Sequence, residues 1–295
     1  MASPAWMVSL HGGHSGEFCE HASGTLREIT DAAIAAELST YGVTEHAPRS
    51  DDRFLYDSER AKGYEVERLH REFEAYSRES LRLQRQTRGS LELLRGFETE
   101  AVPTSSYVES MLALRHEHRF DYVVGSVHHV RDIPIDETPQ HFREAVAACD
   151  GLEPLMERYF RLVDEMIRSV RPEIVGHLDL PKLHAPRDAD LCTPRIRGAA
   201  EAAIEAAKSH SCILDLNTAA WRKGLPEPFP SPWLVRLAAE AGVHFCFGDD
   251  SHAPSQVGYG LGRARQYLLN HGVNSITVLG LGQRGLERRQ VPLEA

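Results

Sequence analysis

The chain has 295 residues, with 33 lysine plus arginine against 43 aspartate plus glutamate and a formal charge of −10. That balance argues against nucleic-acid binding by bulk charge, which needs a basic face. The 42% hydrophobic fraction excludes a disordered composition, and no run approaches the ~18 apolar residues of a membrane span.

Five scattered cysteines with no CxxC pair argue against disulfide stapling and against a zinc knuckle. The start, from Met1 to Leu10, has no basic n-region. The expected location is cytoplasmic, and a closed homo-oligomer is compatible with the acidic composition.

In chain order, strands and helices alternate. A strand at Trp6 to Leu10 runs into His11-Gly-Gly-His14. Thr25, with Glu28 three residues on, starts a helix to Leu38. The strand Tyr41 to Thr44 ends in Glu45-His46. Glu59 to Gln86 is predicted as one long charged helix. Leu91 to Phe97 is a strand ending in Glu98, followed by a helix at Thr104 to His116. The strand Phe120 to Val124 ends in Gly-Ser-Val-His128-His129.

The rhythm continues in the second half. Helix Leu152 to Val170 precedes strand Ile174-Val175, which ends in His177-Leu-Asp179. Pro181 to Pro194 reads as a loop of the kind that covers a site. Helix Ile196 to Ser209 leads to strand Ile213 to Leu216, ending in Asn217. Helix Ser231 to Ala241 leads to strand Val243 to Phe247, ending in Gly-Asp-Asp250-Ser-His252. A helix at Gly262 to His271 and a strand at Ser275 to Leu279 follow. The class is α/β. No GxGxxG follows the first strand, which argues against a dinucleotide site.

The unusual feature is histidine, 16 in all. Those on helices or near their ends (His70, His116, His118, His210, His271) read as ordinary surface residues. Most of the others collect just after strands, positions that converge on one rim in a (β/α) barrel. The candidate metal ligands are His11, His14, His21, His46, Glu98, His128, His177, Asp250 and His252. Nine N/O donors exceed the needs of one ion. Two to three divalent ions would use them, and imidazole plus carboxylate without nearby thiolate suits Zn, Mn or Fe. Such a cluster can generate hydroxide from water and clamp a phosphoryl group.

On the segments HSGEFCEHA, TEHAP, GFETE, VGSVHH, VGHLDL, LDLNTAAWRKG and GDDSHAP, in that order, the chain resembles the polymerase-and-histidinol-phosphatase (PHP) superfamily, histidinol-phosphatase type. The resemblance implies a TIM-like, distorted (β/α)7 barrel, a single PHP-type domain over 1–295 with a helical insertion at about 55–90. It implies a trinuclear metal centre in which Glu98 bridges ions and His14, His21, His46, His128, His177 and the Asp250/His252 pair complete the set. The family opens on a His-x-His pair, whereas residue 12 here is glycine and the upstream histidine is His11. Either the loop is rearranged so that His11 binds, or one ion loses a ligand. Asp215 stands where this type often has glutamate.

The implied activity is hydrolysis of L-histidinol phosphate, with Glu98, His128, His177, Asp250 and His252 at the reaction. His129 and Asp179 are further candidates to assist the leaving group. The phosphate is expected to meet Arg195, Arg197, Arg222 or Lys223, with Asn217 bonding substrate or holding a ligand. Tyr56, Asp57, Glu59 and Trp221 are candidate lining for the substrate's cationic end. The partner is a small phosphate monoester, with no nucleic acid and no membrane expected. The competing readings are a PHP-type phosphoesterase on another ester, nucleotide or nucleic-acid end, and a degenerate barrel with a binding role.

Overall fold

The computed structural model describes residues 4–283 and 285–294. The elements run β1 (Val8–Ser9), α1 (Leu26–Ala35), β2 (Thr40–Val43), α2 (Asp57–Ala61), α3 (Val66–Gln86), β3 (Glu92–Arg95), α4 (Tyr107–His118), β4 (Val124–Gly125), β5 (His129–Val130), β6 (Ile133–Pro134) and α5 (Pro139–Ala148). They continue as α6 (Leu152–Val170), β7 (Ile174–Val175), α7 (Pro194–Ser209), β8 (Ile213–Asn217), α8 (Ala219–Arg222), α9 (Pro232–Ala241), β9 (His244–Gly248), α10 (Leu261–Asn270), β10 (Ser275–Gly282) and β11 (Gly285–Pro292).

Two parallel sheets carry the architecture, in the orders β1-β2-β3 and β4-β7-β8-β9. Parallel bridges from His46 to Glu98 and from Glu98 to Val124 join them on one side. On the other side the Leu10 amide donates to the Phe247 carbonyl at 2.8 Å, and the Asp250 amide donates to His11 O at 2.8 Å. The first and last strands of the series are thus tied together where the site begins.

The strands enclose a small apolar cluster of Leu10, Leu94, Tyr122, Val124, Ile174, Ile213, Cys246 and Leu279. Tyr122 is its largest member, and its hydroxyl donates to Leu10 O at 2.7 Å. A Cβ at Gly42 or Gly96 would run into this ring, so the two glycines make room for it. The larger core lies between strands and helices. Helix α6 presents Leu155, Tyr159, Phe160, Val163, Met166, Ile167 and Val170 on one buried face, the i, i+4 spacing of an amphipathic helix. Burying each such side chain contributes about 1.5–3 kcal/mol.

Several elements differ from expectation. The single helix from Glu59 to Gln86 is two helices, because Gly63 takes φ +70° and ends the first. The β5-β6 hairpin and α5 occupy a stretch with no expected element. The last strand is longer and folds back as the antiparallel β10-β11 pair. At the start of the expected Pro181 to Pro194 loop, Leu180–Leu183 forms a 3-10 turn. No helix among the described residues is long and apolar enough to cross a membrane.

Candidate metal centre

Each short strand delivers its next few residues to one rim. Glu98 stands at the middle of that rim, 1% exposed. Its Oε1 faces His11 Nε2 at 3.2 Å, His128 Nε2 at 3.3 Å and His177 Nε2 at 3.0 Å. Its Oε2 faces His46 Nδ1 at 3.4 Å and His14 Nε2 at 3.6 Å. Three imidazoles crowd one oxygen and two crowd the other. A carboxylate oxygen has two lone pairs, so direct hydrogen bonds do not account for the arrangement.

The outer part of the cluster is built from rings. His14 stacks on His252 at 4.2 Å and on His46 at 4.5 Å between centroids, and His21 lies 4.8 Å from His252. Both nitrogens of His14 and of His46 are buried without a hydrogen-bond partner. A buried polar atom normally has one. Donor atoms within 4.8 Å of one another group as His11–His14–Glu98, His11–His177–Asp250, His14–Asp250–His252, His46–Glu98–His128 and Cys19–His21–His46–His252. All nine residues singled out in the sequence occur in these groups. Orphaned imidazole nitrogens around shared carboxylates fit a set of divalent cations.

The protonation preferences point the same way. Burial and the neighbouring His46 push His14 down to about 3. Burial also lowers His11 and His128, but Glu98 with Asp215, and Glu100 with Glu98, outweigh it and drive both well above the ordinary range. For Glu98, burial acts upward but His11, His128 and His46 prevail and hold it well below the usual carboxylate range. Imidazoles in contact cannot all carry protons. Cations coordinated by neutral rings and ionised carboxylates satisfy every member at once.

Behind the inner ring stand carboxylates that orient it. Asp215 Oδ2 lies 2.7 Å from His11 Nδ1. Glu100 lies 3.3 Å from both His46 Nδ1 and His128 Nδ1 and also meets buried Arg49. Glu45 lies 3.4 Å from His14 Nδ1, and burial raises it to about 8. Glu100 went unread in the sequence, although it is two residues past Glu98 and period two puts both on one face of an extended segment. Asn217 donates to Asp215 Oδ2 at 3.0 Å and Asp250 Oδ2 at 3.2 Å, so it braces both carboxylates.

His11 reaches the site because Gly12 and Gly13 adopt φ +153° and +75°. A Cβ at residue 12 would lie 2.2 Å from Asp249 Oδ1. His11 therefore lies inside the cluster, and this turn leaves no room for a side chain at residue 12. A thiol also stands at the cluster's edge, contrary to expectation: Cys19 Sγ is 3.4 Å from the His21 ring nitrogens.

A cavity of about 610 Å³ opens over Glu98, His46, His128, His177, Asp250 and His252. Tyr56, Asp57, Asp136, Glu137, Arg222 and Lys223 continue its wall. Arg222 is committed, donating to Asp249 O at 2.6 Å and Asp250 O at 2.7 Å. Arg195 and Arg197 do not reach the cavity. They are half exposed on α7 and pair with Glu157 and Glu201. Glu59 turns away to buried Arg49, and Trp221 donates to Pro226 O. His129 stacks behind Tyr56 and Asp179 binds Ser231 and Lys182, so neither lines the cavity.

The PHP domain family matches residues 11–219. The chain belongs to the PHP family, histidinol-phosphatase type. The PHP chain is 34% identical to a Schizosaccharomyces pombe protein named "Probable histidinol-phosphatase", covering 94% of this chain and 91% of the relative. It is 28% identical to the histidinol-phosphatase of Saccharomyces cerevisiae over 88% of each chain. Its α/β PHP fold is similar to the crystal structure of a Lactococcus lactis histidinol phosphate phosphatase complexed with Zn, L-histidinol and phosphate. That match has a TM-score of 0.71 and 20% identity and covers 93% of this chain and 97% of the other.

Proposed function

We propose that this PHP protein hydrolyses L-histidinol phosphate to L-histidinol and phosphate in a metal-dependent reaction. The observation that carries the reading is the Glu98 carboxylate, with three imidazole nitrogens on one oxygen and two on the other, at the floor of a cavity large enough for a small ester. The related proteins named histidinol-phosphatase support the substrate.

The residues assigned to two or three ions of Zn, Mn or Fe are His11, His14, His21, His46, Glu98, His128, His177, Asp250 and His252. Bound there, the ions supply a nucleophile from water near neutral pH and positive charge for the phosphoryl oxygens. The protein's own part is orientation. Glu98 holds the donor set together, Asp215 and Glu100 fix the imidazole faces, and Asn217 positions Asp250. Lys223, with no ion-pair partner among the described residues, is the cation free to meet the phosphate. Arg222 stiffens the Asp249-Asp250 turn beside it.

The strands tied through Glu98 and through Leu10–Phe247 read as a distorted (β/α)7 barrel. Residues 1–295 read as one domain, with α2 and α3 as its insertion at about 55–90, in a cytoplasmic enzyme. The test is phosphate release from L-histidinol phosphate beside a panel of phosphomonoesters, with zinc- or manganese-loaded protein and a chelated control. Preference for histidinol phosphate, lost on chelation, is expected. Turnover of other esters but not this one overturns the substrate, and no turnover by loaded protein overturns the enzyme reading.

A further inference from the structure

The cavity wall carries three acids besides the metal donors: Asp57, Asp136 and Glu137. Two are already engaged. Glu137 accepts from the Asp57 amide at 2.7 Å and faces His141 Nδ1 at 3.0 Å, and Asp57 faces His141 Nε2 at 3.6 Å. The Asp136 side chain makes no hydrogen bond or ion pair among the described residues, and its Oδ1 is buried without a partner. The residue is half-buried, so water reaches part of the group, but a carboxylate oxygen buried without a partner is costly to keep. One that faces a ligand cavity is paired when a cation enters.

Its placement is firm. Asp136 follows Ile135, whose amide donates to the His128 carbonyl at 2.9 Å and whose side chain is fully buried. The Asp136 carboxylate is therefore tied through the backbone to a residue of the metal cluster. Beside it stands Tyr56, 7% exposed, backed by His129 on one ring contact and by Arg49. Lys223 reaches the same cavity from the end of α8, after β8. Asp136 arrives from the hairpin after β4, two strands away in the order β4-β7-β8-β9. The wall thus offers a cation and a free anion from different elements.

We propose that the Asp136 carboxylate anchors a protonated amine on the substrate, fixing the distance between that amine and the phosphate ester. The proposal rests on the reading of the cavity as a phosphatase site for an amino alcohol ester. Asp136 is a specificity-determining residue, not a participant in phosphate cleavage. An ester without the amine leaves the carboxylate desolvated and unpaired, so such esters are disfavoured as well as less well held.

The experiment compares metal-loaded wild-type protein and Asp136→Asn on L-histidinol phosphate and on its analogue lacking the amine. The expected result is that the ratio of kcat/KM for the two esters falls by about 10- to 100-fold in the variant, the range for a charge-assisted hydrogen bond, mainly through KM. L-Histidinol as a competitive inhibitor should weaken by a similar factor. An unchanged ratio and unchanged inhibition overturn the proposal, as does an equal loss on both esters with metal content intact. If wild-type protein ignores histidinol phosphate, the substrate reading falls separately. The same ratio, measured on whichever amine-bearing and amine-free esters it does turn over, then decides the role of Asp136.

Discussion

His11 Nδ1 stands 2.7 Å from Asp215 Oδ2, while its other nitrogen faces Glu98 Oε1 at 3.2 Å. The pair divides the ring's two nitrogens between an orienting acid and the cluster. With Asp215 accepting the Nδ1 proton, the Nε2 lone pair would be free to hold a metal ion.

Replacing Asp215 by Asn keeps the volume but lets the His11 ring take the wrong tautomer. Metal retention should weaken by about 10- to 100-fold, read by equilibrium dialysis against a chelator. Retention equal to wild type would show that Asp215 does not act through His11.

Glu98 is the joint of the cluster, so Glu98→Gln removes the charge that all five surrounding histidines face. Phosphate release should drop to the level of the chelated protein, with at least one ion fewer per chain by elemental analysis. A full metal complement in this variant would refute the shared role.

Lys223 and Arg222 are adjacent cations with different work. Lys223→Met should raise KM by about 10- to 100-fold with the melting temperature unchanged. Arg222→Met instead strips donors from the carbonyls of Asp249 and Asp250, costing about 1–3 kcal/mol of stability per orphaned group. Thermal unfolding alongside KM separates the two, and interchanged effects would reverse the assignment.

Gly12→Ala places a methyl 2.2 Å from Asp249 Oδ1 at φ +153°. Destabilisation of more than about 1 kcal/mol is expected, measured by urea unfolding, together with loss of metal. A neutral substitution would mean that the turn has room the present geometry denies.

His118, packed against Phe73 and Phe120, is lowered from 6.5, chiefly by burial. The unfolded chain therefore binds the proton more readily. Its contribution to stability is complete above pH 6.5 and is lost as pH falls through the depressed folded value. His118→Gln should flatten the stability loss between about pH 7.5 and pH 5 in urea titrations. An identical slope would remove His118 as a source.

Much of this site was legible because its residues fall directly after strand patterns, and strand ends converge whatever the helices do. His46, His128 and His177 each follow a short apolar run. What sequence could not show was pairing. Arg195 and Arg197 sit at a helix start as phosphate-binding residues often do, but the acids that claim them, Glu157 and Glu201, are fixed only by helix packing and helical pitch. Asp136 follows a hairpin too short to carry a periodic signal, and its importance comes from what it does not touch. The Gly63 break within a charged helical stretch was masked by the strong helix formers around it.

The union of Leu10 with Phe247, and of His11 with Asp250, has a consequence for biosynthesis. His11 waits for a partner more than 230 residues later in the chain, so a nascent polypeptide cannot complete the cluster until the segment around Asp250 has been made. Contacts of such long separation form slowly. During that interval the early histidines are exposed as an incomplete chelate. Ion uptake should therefore follow synthesis of the segment through His252, and chains truncated before His252 should fail to retain the full complement of metal.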